Sequence, residues 1–400
     1  MVATPKLRAQ DLTSIELFAG AGGLAIGTAR AGLKHLAVIE RDADCYETLS
    51  RNQRDGFALV KHWPLIQSDV REVDFTQWQN NVDVICGGPP CQPFSIGGLH
   101  LGKNDKRDMF PEGVKAIRGS QPKAFIFENV RGLARPVFAN YYLYTELQLR
   151  YPQVVRKKGE VPQEHFRRLQ RIHSSNSGPD PVYQVTRHQA NAADYGVAQR
   201  RQRIFIVGFR ADLGIKWSFP TQTHSETALL RAKLSGDYWE RNRVAKKHRS
   251  AEGAEGEYLL SGFDDGFRAW TTVREAIAGL GTARSKNPTF ANHTPQLGAR
   301  IYPGHTGSRL DFPAKTLKAG AHGVPGGENM VILDNGNVRY FTVRESARLQ
   351  TFPDSYVFPN SWTENMRQLG NAVPCDLAQI VVRSVVDAIL TRTKELIAQN

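Results

Sequence analysis

Short apolar runs recur along the first half of the chain, and each ends in a polar residue or a glycine turn. They are TSIELF, HLAVIE, LIQSDV, VDVICGG, AFIFENV and RIFIVGF, at residues 13–18, 35–40, 65–70, 82–88, 124–130 and 203–209. Buried strands that alternate with helices are typical of a mostly parallel sheet with helices on both faces. The pattern therefore predicts an α/β fold.

The pattern changes twice further along. Residues at about 140–180 are basic and polar, and those at about 216–340 are rich in Gly, Pro, Thr, Asn and His without strand–helix alternation. The last stretch predicts an amphipathic helix that docks on the core. We expect a catalytic, cofactor-binding domain at 1–215 plus 365–400, with the insertion at about 140–180, and a smaller irregular domain at 216–364.

Composition points to a polyanionic partner. The chain has 52 Lys plus Arg against 39 Asp plus Glu, a formal net charge of +13. An excess of this size favours nucleic acid, although a merely basic surface would give the same count. The sequence shows no apolar run of about eighteen residues and no secretory h-region, so we expect a cytoplasmic protein without membrane contact. We also expect a monomer.

Four cysteines occur in the chain, at positions 45, 86, 91 and 375, without a CxxC pair. This number and spacing predict neither a disulfide framework nor a metal site. Free cysteines are usually small buried hydrophobes, and we expect three of the four to be of this kind.

A glycine-rich turn follows the first predicted strand. The segment ELFAGAGGLAIG at 16–27 places several glycines between a strand and a helix, where the bare backbone can approach a ligand closely. Such a turn alone is a weak signal. Because it lacks lysine and a second phosphate cradle, it favours a nucleoside ligand with an uncharged tail over a pyrophosphate ligand.

Two acids sharpen this interpretation. Glu40 ends the second strand, where a carboxylate binds ribose hydroxyls, and Asp69 ends the third, where it can accept from an adenine amino group. Phe18 is placed to stack on the adenine. Either acid alone equally fits a solvated strand end, but together with the turn they favour binding. The predicted cofactor contacts here are Phe18, Ala19, Gly20, Gly22, Gly23, Leu24, Glu40, Asp69, Val70 and Pro89.

The segment GGPPCQPFS at 87–95 follows a buried strand. Its glycines and prolines predict a rigid, sharply turned strand end that presents Cys91 at the carboxyl edge of the sheet, where open α/β folds hold their ligands. A thiol fixed there fits a nucleophile better than it fits core filler.

This segment resembles the catalytic motif of the cytosine-C5 DNA methyltransferases, and further blocks resemble that family's motifs in the same order. They are ELFAGAGG (16–23), FENV (127–130), QRRQRIFIVG (199–208), VRESARLQTFPDSY (343–356) and QLGNAVP (368–374). The resemblance implies a Rossmann-like class I methyltransferase sheet with a small target-recognition domain. It also implies DNA (cytosine-5-)-methyltransferase activity of the bacterial modification type. S-adenosylmethionine would be the methyl donor and S-adenosylhomocysteine the product.

The resemblance implies a role for each catalytic residue. Cys91 adds to carbon 6 of cytosine, and Glu128 hydrogen-bonds the ring N3 and amino group. Arg203 reaches the base oxygen O2 and holds Glu128, whereas Arg201 contacts a phosphate or the Cys91 loop. Asn371 and Ala372 join the cofactor pocket. We expect Arg344 and Glu345 to form a buried structural ion pair.

Double-stranded DNA is the implied partner, with the target base extruded from the helix. The polar, glycine-rich stretch at 95–110 is predicted to close over DNA, with phosphate contacts from Lys103, Lys106 and Arg107. Gln92 or Ser95 would fill the vacated stack. Sequence recognition falls to the small domain, where Thr316 is a candidate contact. The basic insertion equally fits a wider DNA footprint or a solvated helix face.

Three alternatives remain open on the sequence. They are an RNA methyltransferase of the same fold that acts on tRNA cytosine, a catalytically silent DNA-binding protein, and a nicotinamide-dependent oxidoreductase. The intact Cys91, Glu128 and Arg203 disfavour the second, and the PPCQPFS segment is unexplained by the third. The sequence leaves open which DNA sequence is recognised and whether a cognate restriction endonuclease accompanies the protein.

Overall fold

The structure is a computed structural model that describes residues 8–90, 108–249, 266–284, 289–303, 306–319 and 329–399. A seven-stranded sheet lies at its centre. In chain order the strands are β1 Thr13–Leu17, β2 Lys34–Glu40, β3 Leu65–Gln67, β4 Val84–Gly87, β5 Ala124–Val130, β6 Tyr183–Asn191 and β7 Gln202–Arg210.

The spatial order of the strands is β3-β2-β1-β4-β5-β7-β6. β1 to β5 pair in parallel, whereas β7 runs antiparallel to both of its neighbours, β5 and β6. The predicted α/β fold with a mostly parallel sheet is confirmed. Because β7 is reversed, its first residues lie at the same edge of the sheet as the last residues of β5.

Helices cover both faces of this sheet. In chain order the helices of the described residues, including those of the segment from 216 to 364, are α1 Gly23–Arg30, α2 Ala43–Arg54, α3 Phe110–Ser120, α4 Ala139–Arg150, α5 Pro162–Ser175, α6 Glu226–Leu234, α7 Asp237–Arg241, α8 Val273–Ile277, α9 Val343–Leu349, α10 Trp362–Asn371 and α11 Cys375–Gln399. Alternate residues of each strand point to opposite faces. In β4, Cys86 accordingly packs with α1 and α11, whereas Ile85 packs with α3 and α4.

The last helix docks on the core as predicted. Along α11, Val381, Val385 and Ile389 are at most 1% exposed and pack against the sheet. Its first turn crosses α1 at Gly27, where an added Cβ would lie 2.4 Å from the Cβ of Ala378. Only glycine permits so close an approach. Among the described residues, none of the helices is both long and apolar enough to span a bilayer.

The segment from 216 to 364 contains short strands, namely β8 His224–Ser225, β9 Arg268–Ala269, β10 Ser308–Arg309, β11 Met330–Ile332 and β12 Val338–Tyr340. Its C-terminal part also contacts the main sheet. The Tyr356 hydroxyl donates to the Ala21 carbonyl at 2.8 Å, and Phe352 and Phe358 pack in the same cluster as Trp63. The predicted domain boundaries at 215 and 364 stay a prediction. Residues 352–358, which precede the second boundary, pack against the first domain.

Candidate active site

The glycine turn between β1 and α1 is a tight, left-handed stretch of backbone. Phe18, Gly20 and Gly22 all have positive φ, and Gly22 is the N-cap of α1. An added Cβ at Gly23 would lie 2.3 Å from the Val373 carbonyl oxygen. Glycine at position 23 therefore lets the closing turn at 370–373 lie directly against the first turn of α1, which brings two distant sequence motifs together.

Glu40, at the end of β2, holds this turn. Its Oε2 accepts from the Gly20 N–H at 2.6 Å, and its Oε1 accepts from the Asp42 N–H at 2.7 Å. Burial raises the pKa of Glu40, and these backbone hydrogen bonds oppose that rise. Each carboxylate oxygen has a second lone pair. Glu40 can thus fix the turn and still accept from a ligand hydroxyl.

Asp69 also lines the cavity, but both of its carboxylate oxygens already accept hydrogen bonds from arginines. Arg71 donates to it from the backbone N–H and, at 2.9 and 2.6 Å, from the guanidinium, and Arg41 donates at 3.0 Å. Hydrogen bonds from Arg71 lead in holding the pKa of Asp69 well below its usual range. A hydrogen bond from an adenine amino group, as predicted, would require one of these arginines to move. That contact stays a prediction.

A cavity of about 680 Å³ joins these groups at the carboxyl edge of the sheet. Every predicted cofactor residue except Gly22 lines it: Phe18, Ala19, Gly20, Gly23, Leu24, Glu40, Asp69, Val70, Pro89, Asn371 and Ala372. Glu128 lines the same cavity. The structure therefore brings the turn, the acids and the ENV motif to one place.

Arg367 on α10 is a cavity residue that the sequence interpretation missed. Its guanidinium donates to Asp42 at 3.0 Å and to Glu364 at 2.6 Å. Oxygens of these two acids and the Cys45 sulfur lie within 4.8 Å of one another, and the guanidinium supplies the positive charge there. The available signal was spacing, since Arg367 precedes Asn371 by four residues and shares its face of the helix.

Glu128 and Arg203 form a buried ion pair at the far end of the cavity. Arg203 Nε lies 2.6 Å from Glu128 Oε1, and each residue is 7% exposed. The antiparallel register pairs Val130 of β5 with Arg203 of β7, which places the two side chains at one edge. Burial raises the pKa of Glu128, and the charges of Arg203 and Arg201 offset this in part.

The chain leading to the predicted nucleophile lies beside this pair. The Asn129 side-chain amide donates to the Pro89 carbonyl at 3.0 Å, and the Met109 N–H donates to the Pro90 carbonyl at 3.1 Å. A Cβ at Gly88 would lie 3.4 Å from Glu128 Oε2, so glycine leaves the space in front of that oxygen open.

Several predicted residues lie outside the described residues. They are Cys91, Gln92 and Ser95, together with Lys103, Lys106 and Arg107. The other three cysteines, at 45, 86 and 375, are buried free thiols, as expected.

The expected phosphate contact of Arg201 is wrong in this structure, whereas its alternative contact with the Cys91 loop stays a prediction because residues 91–107 lie outside the described residues. Arg201 is 0% exposed and donates to the carbonyl oxygens of Gly370 and Ala372, both at 2.7 Å, and of Leu317 at 3.2 Å. It therefore contacts neither solvent nor a surface on which phosphate can bind. Instead it ties the start of β7 to the closing turn of the cofactor cavity.

Two further expectations concern the segment at 305–356. The Thr316 hydroxyl donates to the Arg200 carbonyl at 2.7 Å and is partly exposed, so its DNA contact stays a prediction. The expected pair between Arg344 and Glu345 is wrong. Glu345 pairs with Arg339 at 2.6 Å, and Arg344 donates to the three backbone carbonyls of Ala291, Pro353 and Tyr356.

Comparisons with known proteins agree with this site. The sequence model described as C-5 cytosine-specific DNA methylase matches residues 12–143 and 163–387. The chain is 30% identical to the type II methyltransferase M.NgoMIV of Neisseria gonorrhoeae, over 95% of this chain and 98% of that protein. It is 31% identical to the type II methyltransferase M.Eco47II of Escherichia coli, over 94% of this chain and 78% of that protein.

Solved structures show the same fold at lower identity. A DNA modification methyltransferase encoded within an E. coli prophage superposes with a TM-score of 0.58 at 20% identity, covering 94% of this chain and 99% of its own. The S. pombe Dnmt2 methyltransferase gives 0.54 at 16% identity, covering 94% and 98%. The predicted Rossmann-like methyltransferase fold is confirmed. The chain belongs to the C-5 cytosine-specific DNA methylase family and is a DNA (cytosine-5-)-methyltransferase.

Proposed function

We propose that this protein methylates carbon 5 of an extruded cytosine in a specific duplex DNA sequence, with S-adenosylmethionine as donor and Cys91 as nucleophile. The observation that carries the proposal is Glu128, which lines the same cavity as Glu40 and the glycine turn and is paired with the buried Arg203 behind it. Relatives named type II methyltransferases support a place in a restriction-modification system. Whether a cognate endonuclease accompanies this chain is part of the proposal to be tested.

The donor set suits S-adenosylmethionine. The cavity volume of about 680 Å³ is in the range of small-molecule sites, and its walls combine apolar Phe18 and Leu24 with the acids Glu40 and Asp42. When bound, this cofactor supplies an electrophilic methyl group. Glu40 would accept from its ribose hydroxyls, and Asn371 and Ala372 would border it.

Glu128 and Arg203 would prepare the base. The Cys91 thiolate adds to carbon 6, and the electron pair displaced from the ring double bond makes carbon 5 nucleophilic. Glu128 holds a proton on ring N3 and accepts from the amino group, while Arg203 donates to O2. The raised pKa of Glu128, caused mainly by burial, favours the protonated carboxyl that this step needs. After carbon 5 is methylated, water removes its proton and the Cys91–carbon 6 bond breaks.

DNA methylation is tested by incubating the purified protein with tritiated S-adenosylmethionine and either plasmid DNA or a tRNA pool. We expect label in DNA, and sequencing after bisulfite treatment will give the recognised sequence. A duplex with 5-fluorocytosine at that target should trap a covalent complex, because elimination requires a proton on carbon 5. Cys91→Ser is the matched control and should keep DNA binding without transfer. Label in tRNA alone, or full activity of C91S, would overturn the proposal.

A further inference from the structure

Three polar side chains interlock at the edge of the sheet where Glu128 lies. The Gln202 Oε1 accepts from the Arg131 guanidinium at 2.8 Å and from the Gln189 side-chain amide at 3.1 Å. Arg131 directly follows β5, Gln189 lies near the end of β6, and Gln202 begins β7. The cluster therefore joins three strands at one edge, and none of its members has a part in the proposed chemistry.

Strand register places this cluster beside the catalytic pair. In the pairing of β5 with β7, Val130 lies opposite Arg203, and Gln202 directly precedes Arg203. The Arg203 guanidinium pairs with Glu128 and also donates to the Gln202 carbonyl at 2.8 Å. Because successive side chains of a strand point to opposite faces, Gln202 and Arg203 lie on opposite faces of the sheet at the same edge. The cluster is thus an immediate neighbour of the pair assigned to the reaction.

The hydrogen bonds fix the orientation of the Gln202 amide. A guanidinium can only donate, so the amide oxygen must be the atom directed at Arg131, and the amide nitrogen points elsewhere. Among the described residues this nitrogen has no hydrogen-bond partner, and it is accessible to solvent. The edge therefore presents two N–H donors of fixed direction to a ligand.

Two exposed arginines lie next to this amide. Arg131 binds it directly, and Arg200 precedes Gln202 by two residues. Neither arginine forms an ion pair within the described ranges. The backbone of Arg200 is held by the small domain, since its N–H donates to the Ala314 carbonyl at 2.8 Å and its carbonyl accepts from the Thr316 hydroxyl at 2.7 Å. A row of donors without a neutralising carboxylate thus runs from β5 to the small domain, and such a surface attracts a polyanion.

We propose that Arg131, Gln202 and Arg200 bind the phosphate backbone of DNA next to the extruded cytosine. This inference rests on the proposed function, because it assigns a further contact to the same substrate. A phosphodiester offers only acceptor oxygens, which suits guanidinium and amide N–H donors. Such contacts fix the register of the DNA strand and add affinity without reading bases. Here they would hold the strand whose cytosine reaches Glu128.

The test compares the full-length protein with R131Q/R200Q. Fluorescence anisotropy measures the affinity for a labelled duplex of about 40 base pairs, of arbitrary sequence, between about 50 and 200 mM salt. Each lost phosphate contact lowers the slope of log affinity against log salt by about 0.9, so we expect a fall of about 2. At about 0.1 M salt, affinity should fall roughly tenfold or more. R131K/R200K keeps both charges and should keep most of the wild-type slope.

The matched control is K34Q/K216Q, which removes two charges from exposed lysines. Lys34 begins β2, and the Trp217 ring beside Lys216 packs 5.9 Å from Phe209 near the end of β7, so both lysines lie towards the opposite edge. The control should keep the wild-type slope. A wild-type slope in R131Q/R200Q, or an equal loss in the control, would overturn the inference. Tritium transfer to plasmid DNA by the wild type separately decides the proposed function.

Discussion

At one end of the cavity Glu40 accepts from two backbone N–H groups, whereas at the other end Glu128 meets a single guanidinium in a buried pair. The first carboxylate is positioned by residues within twenty positions of it in the chain. The second depends on the register of two strands that are far apart in sequence. The comparison indicates that the cofactor-binding carboxylate is positioned by nearby residues in the sequence. The carboxylate assigned to the reaction is positioned by the pairing of two distant strands.

The largest expected effect separates these two ends. Glu128→Gln keeps the shape of the side chain but cannot supply the N3 proton, so methyl transfer should fall by roughly 10²- to 10⁴-fold. Single-turnover transfer to plasmid DNA measures this, and the cofactor dissociation constant should change little. A variant with near wild-type transfer would remove Glu128 from the mechanism.

The pH dependence sharpens the same point. Burial raises the pKa of Glu128, so its protonated form persists to a higher pH than in an exposed glutamate. The transfer rate should therefore fall as pH rises through that pKa. The residual activity of E128Q should lack this fall, because glutamine does not titrate.

The next effect concerns stability, and it compares two adjacent arginines. Arg201→Met removes the guanidinium donor from the buried carbonyls of Gly370, Leu317 and Ala372, and only the Ala372 carbonyl keeps another side-chain donor, Gln350 at 3.3 Å. We expect the free energy of unfolding to fall by roughly 2–4 kcal/mol, measured by urea denaturation. The exposed neighbour provides the control, since Arg200→Met should change it by at most about 0.5 kcal/mol. Equal losses of stability in R201M and R200M would argue against a stabilising role for the hydrogen bonds from Arg201 to the closing turn.

The smallest effect is at the cofactor end. Glu40→Gln can still accept through one oxygen, but its amide cannot accept from both backbone N–H groups. We expect roughly tenfold weaker cofactor binding by calorimetry, about 1.4 kcal/mol, with transfer largely kept at saturating cofactor. Glu72→Gln, an exposed acid nearby, should bind the cofactor as the wild type does. If E40Q lost methyl transfer at saturating cofactor, Glu40 would act in the reaction as well as in cofactor binding, which would contradict the separate roles of Glu40 and Glu128.

The features that the sequence predicted correctly are those that local residues determine, and the features it missed depend on the tertiary fold. Apolar runs and the glycine turn are local signals, and they indicated six of the seven main strands and most of the cavity. β6 escaped because it is an edge strand with many exposed polar residues. The carbonyl partners of Arg201 were missed for another reason, because Leu317, Gly370 and Ala372 lie 116, 169 and 171 residues away along the chain. Hydrogen bonds between distant segments depend on tertiary register, which no local pattern encodes.

The reversed direction of β7 has a consequence for the connectivity of the chain. Glu128 and Arg203 are brought together by the pairing of β5 with β7. The fifty or so residues between β5 and β6 take no part in that pairing. A backbone cut in the exposed stretch at 174–177 should therefore leave two fragments that rejoin through sheet pairing. This segment leaves the sheet after Val130, at the active-site edge, and re-enters it at Tyr183, at the opposite edge, so an insertion in its exposed loops should leave the Glu128–Arg203 pair in place.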